Sequence, residues 1–142
     1  HSFPTRRSSD LLERKVQPVT RWFRTEGRRL PHALAAERFE SLRARGLAAL
    51  EGLDVLLTPT VPVLPPLVGA FRGLEPRALF EAVAPLGAMT AVSNLTGLPA
   101  LTVPCGRVER VPVGVQLVGG AGQDDLLLAL GREVVDRVGG DA

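Results

Sequence analysis

From Leu12 to Leu50 apolar positions recur at helical spacing among Arg, Glu and Ala, and Gly27 and Pro31 interrupt them, so two helices are expected. The second, about Pro31 to Glu51, sets Ala35, Phe39, Leu42, Leu47 and Leu50 against a face of Glu37, Arg38, Glu40, Arg43 and Arg45. Gly52 fits its C-terminal cap. Leu53 to Thr58 is a short apolar run ended by Pro59, the pattern of a strand buried on both faces. Four prolines between Pro59 and Pro66 then fix φ repeatedly and remove ladder donors, giving an extended crossing loop. Its interleaved Val61, Val63, Leu64 and Leu67 are expected to face a core.

A helix over Pro76 to Val83 and a shorter one from Leu86, stopped by Gly97, precede two strands. Leu98 to Pro104 is the first and Val113 to Val118 the second; the charged turn at Arg107 to Arg110 makes them an antiparallel hairpin. Gly119-Gly120-Ala121-Gly122 leads into a last helix, about Gln123 to Val138, with Asp124 and Asp125 in its first turn and Arg137 near its end, both favourable to the helix dipole. The order ααβ…αββα defines an α/β fold class.

Composition bounds the chemistry. The chain has 142 residues, 45% hydrophobic and 23% charged, with a formal charge of +2, so neither a disordered chain nor a nucleic-acid binder is indicated. One cysteine, Cys105, forbids an intramolecular disulfide and any all-cysteine zinc site, and with only His1 and His32 as histidines no metal site is expected. No apolar run reaches the roughly 18 residues of a membrane span, so no membrane contact is expected either.

The start, His1-Ser2-Phe3-Pro4-Thr5-Arg6-Arg7-Ser8-Ser9-Asp10-Leu11, has basic residues but no apolar h-region, which excludes a signal peptide. It matches what one reading frame of a widely used short-read sequencing adapter encodes. Residues 1–11 are therefore expected to be an artefactual or disordered N-terminus fused in frame to a broken gene. The expected domain is 12–142, and no site is built from His1, Ser8, Ser9 and Asp10.

Three features invite a catalytic or binding reading, and each has a simpler one. The Gly119 to Gly122 loop at a helix start lacks GxGxxG and Gly-Lys-Ser/Thr spacing, and two aspartates follow where a phosphate would sit, so a close turn with acidic capping is favoured. Cys105 has no base near it in sequence and is read as a small buried residue. His32 with Ser41 or Ser93 would still need an oriented carboxylate, which no spacing specifies. These residues alone supply no nucleophile, base or metal set.

Three blocks together carry more. Asp54-Val55-Leu56-Leu57-Thr58-Pro59-Thr60, then Ser93-Asn94-Leu95-Thr96-Gly97-Leu98-Pro99-Ala100-Leu101-Thr102-Val103-Pro104-Cys105-Gly106, then Pro112-Val113-Gly114-Val115-Gln116-Leu117-Val118-Gly119 resemble the C-terminal third of the amidase signature family, in the family's order. Asp124-Asp125-Leu126-Leu127 resembles the opening of its last helix. The resemblance implies a C-terminal fragment of that fold, a mixed β-sheet flanked by helices and left incomplete. It also implies cytoplasmic hydrolysis of a small-molecule carboxamide through an acyl-enzyme, in which a lysine relayed through a second serine activates a nucleophilic serine and backbone N–H groups hold the oxyanion. No cofactor is implied.

The sequence holds no Gly-Gly-Ser-Ser-Gly-like stretch, and its one lysine, Lys15, stands C-terminal to where the family's signature belongs, whereas the family's catalytic lysine precedes it. No catalytic residue is carried over, and the fragment itself is expected to be inactive. Thr60, at the end of a strand where α/β ligand sites tend to lie, is a candidate substrate contact. Asn94 and Gln116 are further pocket candidates, with Asn94 also suited to bonding nearby turn backbone, the favoured reading, and Gln116 equally suited to anchoring a nearby loop. Thr96, Gly97, Pro99 and Gly114 are assigned structural duty, since Thr96 can bond nearby backbone and Gly97 permits positive φ. Two alternatives stay open: the A subunit of the glutamyl-tRNA amidotransferase, with partner subunits and a tRNA-bound substrate, and a non-catalytic α/β binding module. Oligomeric state is not legible.

Overall fold

The computed structural model describes residues 16–138, so residues 1–11 lie outside the description. Helix α1 (Pro18–Gly27) opens on proline, whose missing N–H costs nothing in a first turn. Pro31 then occupies the N-cap position of α2 (His32–Leu50), which stops at an extended Glu51 followed by Gly52 at φ +78°. Strand β1 (Val55–Pro59) follows. Beyond the proline-rich loop come α3 (Pro76–Val83), a 3-10 turn (Ala84–Gly87) and α4 (Ala91–Thr96). Strands β2 (Ala100–Val108) and β3 (Val111–Gly119) form a hairpin, and α5 (Asp124–Val138) closes the series.

The three described strands lie in the order β1-β3-β2, and both pairings are antiparallel. Thr58 of β1 and Thr102 of β2 both pair with Gln116 of central β3, so the three side chains share one face. The hairpin turns through Glu109 and Arg110, both at positive φ (50° and 67°), the right-twisted two-residue geometry that suits twisted strands. An extra residue in β2 between Pro104 and Arg107 makes a bulge at Cys105 and Gly106, where Gly106 takes φ +107°.

Helix α5 covers β2 and β3. Val103, Leu117, Val118 and Leu127 are the buried apolar residues, and Gly119 lets Leu127 close on the sheet, since a Cβ there would stand 3.2 Å from Leu127 Cδ2. The α2–α4 contact is as tight: a Cβ on Gly46 would stand 2.9 Å from Thr96 Cγ2. A second, smaller cluster joins α1 to α3, with Trp22, Phe23 and Phe80 ring centroids 4.9 to 5.7 Å apart.

Three expectations are corrected. β1 is an outer strand of the described sheet, not one buried on both faces: Leu57 is 61% exposed, because α5 packs mainly on β2 and β3. Phe39 and Leu42 of α2 are exposed, since α4 packs farther along the helix, at Gly46. Val61, Val63, Leu64 and Leu67 of the proline-rich loop are exposed as well, with no core of described residues beneath them.

Candidate substrate groove

β1 runs directly into the proline-rich loop, and the turn places Thr60 beside the neighbouring strands. Thr60 N–H donates to the Gly114 carbonyl at 3.0 Å, which extends the β1–β3 ladder by one bond. Its hydroxyl lies 3.4 Å from Thr102 Oγ1, so side chains from the strands on either side of β3 meet over Gly114. A side chain at position 114 would crowd this contact. A Cβ at position 114 would stand 3.1 Å from both Thr102 Cγ2 and the Val103 carbonyl oxygen and 3.3 Å from Thr60 Oγ1. The structural duty expected of Gly114 thus has a steric cause.

Thr60 is on the wall of a groove of about 610 Å³ formed by residues 59–66, Leu86, Cys105, Val108 and residues 112–115. None of these carries a formal charge. The β2 bulge brings Cys105 to this wall, half-buried and reduced, rather than into a core. A second depression, about 490 Å³, lies between the end of α2 and the Gly119 to Ala121 turn and is also mainly apolar, with Glu51 its one charged lining residue.

Gln116 is 3% exposed, and its Nε2 donates to Thr58 Oγ1 at 3.3 Å and to the Met89 carbonyl at 3.2 Å. It ties the sheet to the segment that enters α4 and does not line the groove. Asn94 is exposed on α4, makes no side-chain hydrogen bond among the described residues, and does not line the groove either. Of the three pocket candidates the fold therefore brings only Thr60 to this cavity.

The turn after α4 is built as its residue types require. Thr96 Oγ1 donates to the Val92 carbonyl at 2.8 Å and accepts from Leu98 N–H at 3.4 Å, while Gly97 takes φ +75°. Pro99 contributes its carbonyl, which accepts from Gly119 N–H at 3.1 Å. The roles of Thr58, Met89 and Thr102 are not legible from residue type alone; the alternate spacing of Thr58 and Thr60 at the end of β1 is the one sequence signal, placing those two hydroxyls on the same side.

The remaining features stay apart. Gln123 Oε1 accepts from Gly120 N–H at 2.7 Å, so a side chain of the chain itself takes up a loop amide at the α5 start where an anion would otherwise bind. No hydrogen bond joins Cys105 or Ser93 to His32 among the described residues, and Ser93 Oγ is buried without a partner. No group of three or more His, Cys, Asp or Glu side chains in reach of one ion occurs among them. No described helix is long and apolar enough to cross a membrane. On α3, outside the groove, the Arg77 guanidinium is held toward its charged form by the hydrogen bond to Glu81.

The chain is similar in sequence and fold to known proteins. The A subunit of glutamyl-tRNA(Gln) amidotransferase of Archaeoglobus fulgidus is 37% identical over 107 residues, which is 75% of this chain and 22% of that protein. A putative amidase, AmiC, of Mycobacterium tuberculosis is 36% identical over 107 residues with the same coverage of both. A crystal structure of an amidase superposes with a TM-score of 0.72 at 32% identity, over 89% of this chain and 30% of that one. 6-Aminohexanoate cyclic dimer hydrolase superposes at 0.74 with 25% identity, over 89% and 29%. The chain thus spans about a fifth of the length of the curated relatives it matches. The Amidase family model matches residues 3–128, from inside the stretch attributed above to an adapter to the first turns of α5, and the chain belongs to that family.

Proposed function

We propose that this chain is the C-terminal, pocket-wall segment of a cytoplasmic enzyme that hydrolyses the C–N bond of small carboxamides through a Ser-Ser-Lys acyl-enzyme mechanism, without cofactor. Residues 12–142 are its part of the amidase domain, and the nucleophile, middle serine and lysine belong to polypeptide outside this sequence. The observation that carries the reading is the apolar groove at the end of β1 with the Thr60 hydroxyl on its wall, in a chain of this family.

Within that enzyme the segment contributes shape and hydrogen bonding, not covalent chemistry. Thr60 is a substrate contact, and Gln116 acts as a positioning residue that holds β3 against the Met89 carbonyl. The test has two arms. The 142-residue chain should hydrolyse a panel of aryl and aliphatic amides no faster than buffer, and an amidase whose corresponding C-terminal portion is replaced by this segment should retain turnover. Activity of the chain alone that is abolished by Ser93→Ala or Cys105→Ala overturns the reading. A second reading, the A subunit of a glutamyl-tRNA amidotransferase, draws on the 37% identity to that protein; glutamine-dependent ammonia release by the chimera would favour it.

A further inference from the structure

We infer that the depression between the end of α2 and the Gly119 to Ala121 turn binds an aliphatic ammonium ion, a small primary amine in its charged form. It shares no lining residue with the groove beside Thr60, so the inference stands apart from the function proposed above. Its volume of about 490 Å³ is within the usual range of small-molecule sites, roughly 300 to 1,000 Å³. Leu47, Leu50, Leu53, Leu56, Leu98 and Val118 make the wall apolar, a surface on which an alkyl chain gains by leaving water.

Two features beside this wall select the sign of charge. The C-terminus of α2 is the negative end of the helix dipole, and no basic residue stands in its last turn to meet it. Glu51, at the C-cap, is the one charged lining residue, and its carboxylate makes no ion pair among the described residues. Helix end and carboxylate therefore act in the same sense. An ammonium brings three N–H donors and a positive charge to both, while its alkyl chain lies on the leucines. An anion meets the opposite. The Gly119 and Gly120 N–H groups already donate to the Pro99 carbonyl and to Gln123 Oε1, and Glu51 repels it.

The test titrates the isotope-labelled 142-residue chain with hexylammonium, hexanol and hexanoate and follows its amide resonances by NMR. At pH 7 the amine, with a pKa of about 10.4 like a lysine side chain, is charged. Hexylammonium should shift the amides of Leu98, Val118 and Gly119 to Ala121, with a Kd about three- to ten-fold below that of hexanol. Hexanoate should bind more weakly than either. Glu51→Gln should cut the preference for hexylammonium over hexanol about two- to five-fold and leave the hexanol Kd unchanged. Ala48→Phe, at an exposed position of α2 on this wall, should abolish binding of both, with the α5 and β2–β3 resonances unmoved. Isothermal titration calorimetry gives the same ranking where association broadens the spectra.

Equal or tighter binding of hexanoate overturns the inference, as does an unchanged preference for hexylammonium in Glu51→Gln. Retained binding in Ala48→Phe, or shifts confined to residues outside this depression, would place the ligand elsewhere and overturn it too. Resonances of these amides that move on dilution without ligand mean that a second copy fills the site, which is equally fatal to it.

Discussion

Gly131 of α5 lies so close over Leu101 of β2 that a methyl group at position 131 would overlap Leu101 Cδ2 and come within 3.1 Å of Val103 Cγ1. This contact sets how near α5 stands to the β2–β3 hairpin, and with it the burial of Val103, Leu117 and Leu127. A glycine within a helix lowers its propensity by about 1 kcal/mol relative to alanine. Close packing offsets that loss.

Gly131→Val should therefore destabilise the chain by about 1–3 kcal/mol through overpacking. Leu101→Ala makes room for the added methyls, so the double variant should lose less than the sum of the two single losses. Urea denaturation of the four proteins measures the coupling; strict additivity would show that α5 rides farther from the sheet.

Gln116→Leu should cost about 1–3 kcal/mol, since the Thr58 hydroxyl and the Met89 carbonyl lose their partner inside the fold. Gln116→Glu adds a pH signature. Burial opposite the Met89 carbonyl disfavours the carboxylate, so its folded-state pKa rises above the unfolded value of about 4.3. The folded state then binds more protons than the unfolded one, and stability falls as pH rises from about 4 toward that raised pKa. Thermal melts of this variant at pH 4 and pH 7, set against the parent chain, check the sign.

Glu109 and Arg110 occupy left-handed backbone at φ 50° and 67°, a conformation that costs most L-residues about 1–2 kcal/mol each. Replacing them with Glu109→Asn and Arg110→Gly should stabilise the hairpin by about 1 kcal/mol and raise Tm by roughly 2–8 °C. The Arg107 guanidinium donates to the Arg110 backbone carbonyl at 3.0 Å, a bond the substitutions retain. No rise in Tm would show that the turn relaxes out of this geometry in solution.

Isolated from the rest of an amidase, the chain should associate. Leu57 on the outer strand is 61% exposed and Leu67 in the proline-rich loop 86%, and an uncovered strand edge recruits others. Light scattering should show oligomers that diminish in Leu57→Lys and Leu67→Lys. A monomer with strong amide protection across β1, β2 and β3 would mean that the segment is self-sufficient and would favour a binding module.

Much of the architecture was legible along the chain. Pro31, Gly52 and Gly97 mark helix limits because they act on local backbone, through a missing N–H or an accessible positive φ. The β2–β3 hairpin was readable for a similar reason: two apolar runs joined by a short charged turn have few other ways to pair. Gln116 stood out as a polar residue in an apolar strand, although its partners did not.

The sequence by itself determined the element order, the family blocks, and the absence of a Gly/Ser-rich signature, all of which depend on residue types and short spacings. Tertiary structure alone decided which strand is central, that Phe39 and Leu57 face solvent, and that Thr60 meets Thr102 across Gly114. Periodicity records that a face is apolar but not what covers it, because the covering atoms come from residues distant in the chain. The same holds for the groove. Thr60 and Cys105 are 45 positions apart, and only the antiparallel return of β3 between β1 and the β2 bulge sets them on one wall.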